Sequence, residues 1–264
     1  VDTGAVQVEI PVRNEDMEPQ TRATDENSIR DVNYYLIGSE YKEVIHGYER
    51  SADLRFECPP GTYDLYVVAN IHSDLGVKTA QELRDMTLDY DYQYDDLPMW
   101  AKQTISIPSR NNGNLYRLPA ITVKRGLAKV AVNVRSEVSD IILKSVRMVC
   151  IPRVSRPFAE NPSPSTIRSD YTQGPITYFP AYEESYSEVY YLPENLQGER
   201  PDITDETQKG PENAPKYATY LLIRAEKEGV ALAYRIYLGS NNTTNFDVRR
   251  NTCYSYNCLL YTSP

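Results

Sequence analysis

The 264-residue chain holds two histidines, one tryptophan, four methionines and four cysteines. That scarcity narrows its chemistry, as do the motifs it lacks. There is no G-x-S-x-G elbow, no H-E-x-x-H helix and no glycine-rich phosphate loop. Adjacent acids such as Glu183 and Glu184 read as solvated loop charges rather than a glycosidase pair. Neither an enzyme nor a cofactor is expected. Cys58, Cys150, Cys253 and Cys258 form no C-x-x-C unit, and only His46 and His72 could complete a zinc set, so no metal centre is expected. The thiols fit a disulfide framework or free buried cysteines equally well, and spacing does not choose. Cys253 and Cys258 are an odd number of residues apart, which puts them on opposite faces of one strand. Basic clusters are missing, and the net charge is −9. This excludes a nucleic-acid footprint and disfavours an anionic membrane surface. No apolar run reaches the length of a membrane span. Residue 1 is Val, with no basic start or apolar signal core, so the chain reads as a mature form without its export signal.

Tyrosine is abundant where the other aromatics are scarce: 23 Tyr against 4 Phe and 1 Trp. It suits strands and half-wet surfaces, where the ring packs and the hydroxyl finds a partner. Period-two alternation recurs along the chain, and that period marks half-buried strands. Val6, Val8, Ile10 and Val12 share one face. Val32, Tyr34 and Leu36 share another, and 62–70 is apolar enough for a central strand. Further strands are expected at 103–108, 116–123, 129–134, 141–151, 217–223, 230–238 and 253–261. One short helix is expected over 79–86, where Thr79 and Glu82 have the spacing of a capping box. The expected fold is all-β: two tandem Greek-key β-sandwiches, with the helix in the first. The division falls within 123–130, giving domains of 1–124 and 125–264, with long loops over 152–216.

Two polar stretches carry candidate sites. "DYDYQYDDL" (89–97) gathers Asp89, Asp91, Asp95 and Asp96 among tyrosines. Clustered oxygens suit calcium, but the EF-hand glycine and closing glutamate are absent, and a solvated surface loop or a glycan-binding patch are the alternatives. "TRATDENSIRD" (21–31) joins the first two strands by a long polar tether. Such exposed segments are where proteolytic nicking occurs.

Several pieces in order resemble the fimbrillin family, the two-domain type V pilins of Bacteroidetes. They are "PPGTYDLYVVAN" (59–70), "DLPMWAKQTISI" (96–107), "VKRGLAKVAVNV" (123–134), "YYLPENLQG" (190–198), "YRIYLG" (234–239) and "FDVRRNTCYSYNCLL" (246–260). The resemblance spans nearly the whole chain and implies transthyretin-like sandwiches. It also implies export as a lipoprotein precursor to the outer membrane and assembly with other pilin subunits at the cell surface. An arginine-specific protease would cut after Arg22, leaving Ala23 as the new amino terminus, with Arg30 as the alternative. The first strand (5–12, within a unit whose cleavage loop is 13–30) would then leave, and a neighbour's strand would take its place. Shaft, tip and anchor roles stay open. Only Thr262, Ser263 and Pro264 follow the last strand, where a shaft subunit would carry a donating segment, so a tip role, a donor from elsewhere or a shortened chain are the alternatives. A surface adhesin for glycans or proteins, needing no polymerisation, is the competing function.

The four inward residues of the first strand each stabilise by roughly 1.5–3 kcal/mol, or roughly 6–12 in total. A domain's net stability is only about 5–15 kcal/mol. Departure therefore demands replacement. A first strand woven into the centre of a sheet, with its trailing link sheltered, would speak against departure.

Overall fold

A computed structural model describes residues 4–15, 26–38, 44–91, 94–109, 115–136, 140–180 and 183–261. The chain divides into two compact units. The first comprises 1–88, 94–126 and 156–160; the second comprises 89–93, 127–155 and 161–264.

The first unit contains β1 (Val6–Asn14), β2 (Val32–Gly38), β3 (Val44–Glu49), β4 (Asp53–Cys58), β5 (Gly61–Ala69) and α1 (Ala80–Arg84). The short β6 (Leu88–Asp89), whose two residues fall on either side of the division, comes next in the chain; the first unit continues with β7 (Met99–Ile107), β8 (Tyr116–Arg117) and β9 (Ile121–Arg125). Eight of these strands form one sheet, in the order β3-β2-β5-β7-β9-β1-β4 with β8 also pairing β1. The sheet curls so that the inward faces of β1, β2, β4, β5, β7 and β9 share one core, which holds Ile10, Leu36, Leu54, Leu65, Met99 and Ile121. The sequence 116–123, expected as one strand, is broken around Pro119, whose nitrogen cannot donate to a ladder.

On the other face of β2 and β5, Tyr35, Tyr66 and Val68 pack under Leu83 and Met86, so α1 seals a second small core. Thr79 caps that helix as expected. Its hydroxyl accepts from the Glu82 amide (3.2 Å), and the Glu82 carboxylate accepts from the Thr79 amide (2.7 Å). The unit ends at Gly126, where the Trp100 ring lies so close that it leaves no room for a Cβ.

The second unit is a sandwich. Its strands are β10 (Leu127–Ser136), β11 (Ile141–Pro152), β12 (Val154–Ser155), β13 (Tyr171–Gln173), β14 (Thr177–Tyr178), β15 (Ser185–Pro193), β16 (Asn195–Glu199), β17 (Tyr220–Lys227), β18 (Val230–Tyr237), β19 (Asn245–Val248) and β20 (Cys253–Leu260). The sheet β15-β10-β20 faces the sheet β13-β11-β17-β18 across a core that includes Val130, Val132, Ile141, Leu143, Ile223 and Leu260. The stretch 152–216, expected as extended loops or hairpins, contains β15 and β16. Most residues of β15 are exposed or half-buried on both faces, so its alternation is weak, and its end is marked in the sequence by Pro193. All four cysteines are free. Cys253 is exposed and Cys258 buried, on opposite faces of β20.

Candidate functional site

The first strand is the element on which the sequence reading turns. β1 alternates strictly: Val6, Val8, Ile10 and Val12 are buried, while Gln7 and Arg13 are exposed. It has partners along both edges. On one side it runs antiparallel to β4, with Val6 opposite Cys58, Val8 opposite Phe56, Glu9 opposite Arg55 and Ile10 opposite Leu54. On the other side it runs parallel, first to β8 and then to β9, with Val12 opposite Ile121. Bonds at its margins extend the ladder: the Val12 amide donates to the Ala52 carbonyl (2.7 Å), the Leu118 amide to the Glu9 carbonyl (3.0 Å) and the Glu15 amide to the Val123 carbonyl (3.0 Å). β1 is therefore interior, one strand in from the edge strand β4. An interior position makes loss of the strand costlier than loss of an edge, because two rows of backbone groups lose partners. This disfavours spontaneous release, and it also means that departure would leave a slot with two hydrogen-bonding rims.

The outward side of β1 is polar and paired. The Gln7 amide donates to the Glu57 carboxylate (3.0 Å). Glu9 sits between two guanidiniums, Arg55 from β4 at 3.3 Å and Arg117 from β8 at 3.5 Å. Neither arginine nor β4 itself was singled out from sequence. The signal was present: Leu54, Phe56 and Cys58 alternate with Asp53, Arg55 and Glu57 before a Pro-Pro pair.

Arg22 and Ala23 lie outside the described residues, but both ends of their segment are placed. Asn14 Nδ2 donates to Asn27 Oδ1 (3.0 Å), and the buried Arg125 donates from Nε to the Glu26 carbonyl (3.3 Å) and from Nη2 to Asn27 Oδ1. The end of β1 and residues 26–27 are thus stapled together. Beyond them, Ile29 packs on the core. The Arg30 amide donates to Asn70 Oδ1 (2.8 Å), and Asn70 Nδ2 donates to the carbonyls of Ser28 and Leu97 (both 2.9 Å). Asn70 reaches these partners from a left-handed backbone, φ 63°, which asparagine tolerates well. Arg30 therefore sits on a backbone already pinned.

Asp31, Asn33 and Tyr35 project from one face of β2 and hold the loop that follows β5. Asp31 accepts from the amides of Ile71 and His72, Asn33 from that of Leu75, and the Tyr35 hydroxyl donates to the Gly76 carbonyl (2.8 Å). His72 bridges Asp31 (3.0 Å) and Asp96 (3.3 Å). His46 stacks on Tyr35 and meets Asp74 at 2.7 Å. That hydrogen bond, with one from the Gly76 amide, holds the Asp74 carboxyl below the usual range.

Asp96 is engaged by Ser28, Arg30 and His72. Asp95 belongs with it to the first unit, whereas Asp89 and Asp91 fall in the second. Among the described residues no three His, Cys, Asp or Glu side chains converge to hold a metal; residues 92 and 93 of this stretch lie outside them.

Comparison with known proteins places the architecture. A family profile described as a domain of unknown function (DUF4906) matches residues 190–258. No curated protein matches the sequence. Among solved structures, the chain is similar to the tip fimbrial protein Mfa3 of Porphyromonas gingivalis, solved with a C-terminal truncation (15% identity, TM-score 0.67, 99% of this chain and 97% of that one). It is also similar to a candidate cell adhesion protein of Bacteroides eggerthii (14%, 0.69, 100% and 88%) and to the fimbrilin FimA of P. gingivalis (13%, 0.60, 95% and 88%). At such identities the likeness is one of fold, and the fold is that of fimbrillin-like proteins.

Proposed function

We propose that this chain, which carries the fold of Bacteroidetes fimbrial proteins, is a fimbrillin-like pilus subunit at the cell surface. In this reading it is exported as a lipoprotein precursor and cut after Arg22 by an arginine-specific protease. It then joins other pilin subunits by exchanging β1 for a strand of a neighbour. The observation that carries the reading is the position of β1. It is seated between β4 and β8/β9, with its inward residues in the core and a polar stretch of sequence, held at both ends, between it and β2. Arg30 is the poorer cut site. A protease needs an extended backbone free to bind it, and the Arg30 amide is held by Asn70 between core-packed Ile29 and buried Asp31.

The test is limited trypsin digestion followed by thiol labelling. The first cut is expected at Arg22. Cys58, which is buried opposite Val6, should then label only after β1 has left, whereas exposed Cys253 labels throughout. A first cut inside the second unit, with 16–25 resisting, would remove the basis for processing. The competing reading, an adhesin that does not polymerise, draws on the likeness to the B. eggerthii protein. It predicts glycan or protein binding by the uncut chain.

A further inference from the structure

The outward face of β4 reads acid, base, acid: Asp53, Arg55, Glu57. These three stand opposite Pro11, Glu9 and Gln7 of β1. From the other side Arg117 of β8 reaches the same Glu9 carboxylate. Gln7, Glu9, Arg55, Glu57 and Arg117 line a shallow depression of about 400 Å³ over β1.

The inward face of β1 cannot by itself set the strand's position. Val6, Val8, Ile10 and Val12 are nearly equivalent β-branched residues, so a slip of two residues keeps every apolar side chain pointing into the core. The outward charges do distinguish such slips. One way, the carboxylate moves about 7 Å along the slot and comes opposite Glu57; the other way, it comes opposite Asp53. Either slip replaces the two attractive pairs of Glu9 with a repulsion and leaves Arg55 opposite an uncharged residue, Pro11 in the first case and Gln7 in the second; in the first, Arg13 comes opposite Asp53 and offsets part of the loss.

We propose that Arg55 and Arg117 form a register clamp that selects the strand occupying this slot. The inference rests on the strand-exchange reading above. The preferred occupant is an extended segment of another polypeptide. Its apolar residues alternate as in β1, it runs parallel to β9, and it carries one carboxylate at the Glu9 position, with a neutral or basic residue at the Gln7 position. A segment such as residues 253–260 of this same chain has the alternation but no charge, so a strand of that composition is a poor occupant.

The test uses the full chain with a specific protease site in place of residues 17–21. After cutting, a fluorescent peptide of residues 4–15 is offered in excess, and its uptake is followed by anisotropy. Parallel arms use the Glu9→Lys peptide and the 253–260 peptide. The native peptide is expected to be retained at least tenfold better than Glu9→Lys at low salt, with the gap narrowing as salt screens the clamp. A chain with Arg55→Glu and Arg117→Glu should reverse that order. Both side chains are largely exposed, so folding should survive the change. Equal uptake of native and Glu9→Lys peptides would overturn the clamp while leaving strand replacement standing. Failure of every peptide to enter, with Cys58 still unlabelled, would overturn strand replacement and this inference with it.

Discussion

β1 and β20 invite comparison. Both lie near chain ends, both alternate apolar with polar residues, and both run parallel to a neighbour: β1 to β9, β20 to β10. The differences lie in what holds each. β1 has strands on both sides, whereas β20 closes its sheet as an edge among the described residues. β1 faces its core with Val and Ile alone. β20 faces its core with two tyrosines whose hydroxyls are specifically tied. Tyr254 donates to the Asp247 carbonyl (3.2 Å) and accepts from the Arg249 amide (2.9 Å). Tyr256 donates to the Gly239 carbonyl (2.7 Å) and accepts from its amide (2.8 Å). A buried hydrogen-bond partner accepts few substitutes, but a β-branched apolar row accepts any row of like shape. β1 is therefore generic on its inward side and particular on its outward side, as an interchangeable strand needs to be. β20 is particular on the inward side.

The severest test removes each strand in turn. Stripping β1 from the cut chain forfeits roughly 6–12 kcal/mol of apolar burial, an upper figure because unfolded chains are partly collapsed. The first unit should then lose its cooperative transition while the second keeps its own, and adding peptide 4–15 should restore it. Deleting 253–261 should cripple the second unit, and a peptide of that sequence should restore it poorly. Equal rescue of both, read by calorimetry, would dissolve the distinction. Single substitutions come next. Ile10→Ala leaves a cavity in the first core and should cost about 2–4 kcal/mol in chemical denaturation, whereas Ile10→Val should cost about 1. Tyr256→Phe keeps the ring but strands the Gly239 amide, and should cost about 1–3 kcal/mol in the second unit. If Ile10→Val proved as damaging as Ile10→Ala, the inward face of β1 would be a tight fit rather than a generic one.

Most of the strands that build both cores could be read from alternation, because burial on one face writes itself into the sequence with period two. The helix was legible from Thr79 and Glu82, whose capping interaction is purely local. What escaped was set by distant partners. β4 alternates well, yet its role as the neighbour of β1 follows from a pairing between residues 6–11 and 53–58 that no local rule encodes. Glu9, Arg55 and Arg117 look like ordinary surface charges until the sheet brings them together. For β15 only the end, at Pro193, was legible, because its faces are only partly buried. Within the acidic run 89–97, the pairing of Asp96 with His72 and Arg30 likewise joins residues that no local rule connects.

The mildest test concerns two thiols that mark the two strands. Cys58 lies opposite Val6 of β1, and Cys258 lies within β20. Burial pushes both up to about 11 from an ordinary 9.0, with a Tyr63 hydrogen bond pulling Cys58 partly back. In the unfolded chain each thiol loses its proton near pH 9. Between pH 9 and 11 the folded state therefore holds more protons than the unfolded one, and stability falls as pH rises. The contribution is fully present below pH 9. Buried tyrosines such as Tyr34 and Tyr254 are also raised and add their own decline as pH approaches 10, so each thiol's share is read over pH 8 to 10 as the difference between the parent chain and its Cys→Ala variant. Hydrogen exchange followed separately in each unit should show stability declining toward pH 10 in both. Cys58→Ala should flatten the decline in the first unit only, and Cys258→Ala in the second only. Cutting the chain should weaken the decline in the first unit as far as β1 exchanges, because a strand that comes and goes no longer shelters the thiol beneath it. A decline in the first unit that ignores both Cys58→Ala and the cut would mean that β1 does not seal Cys58, and its contrast with β20 would then rest on hydrogen bonds alone.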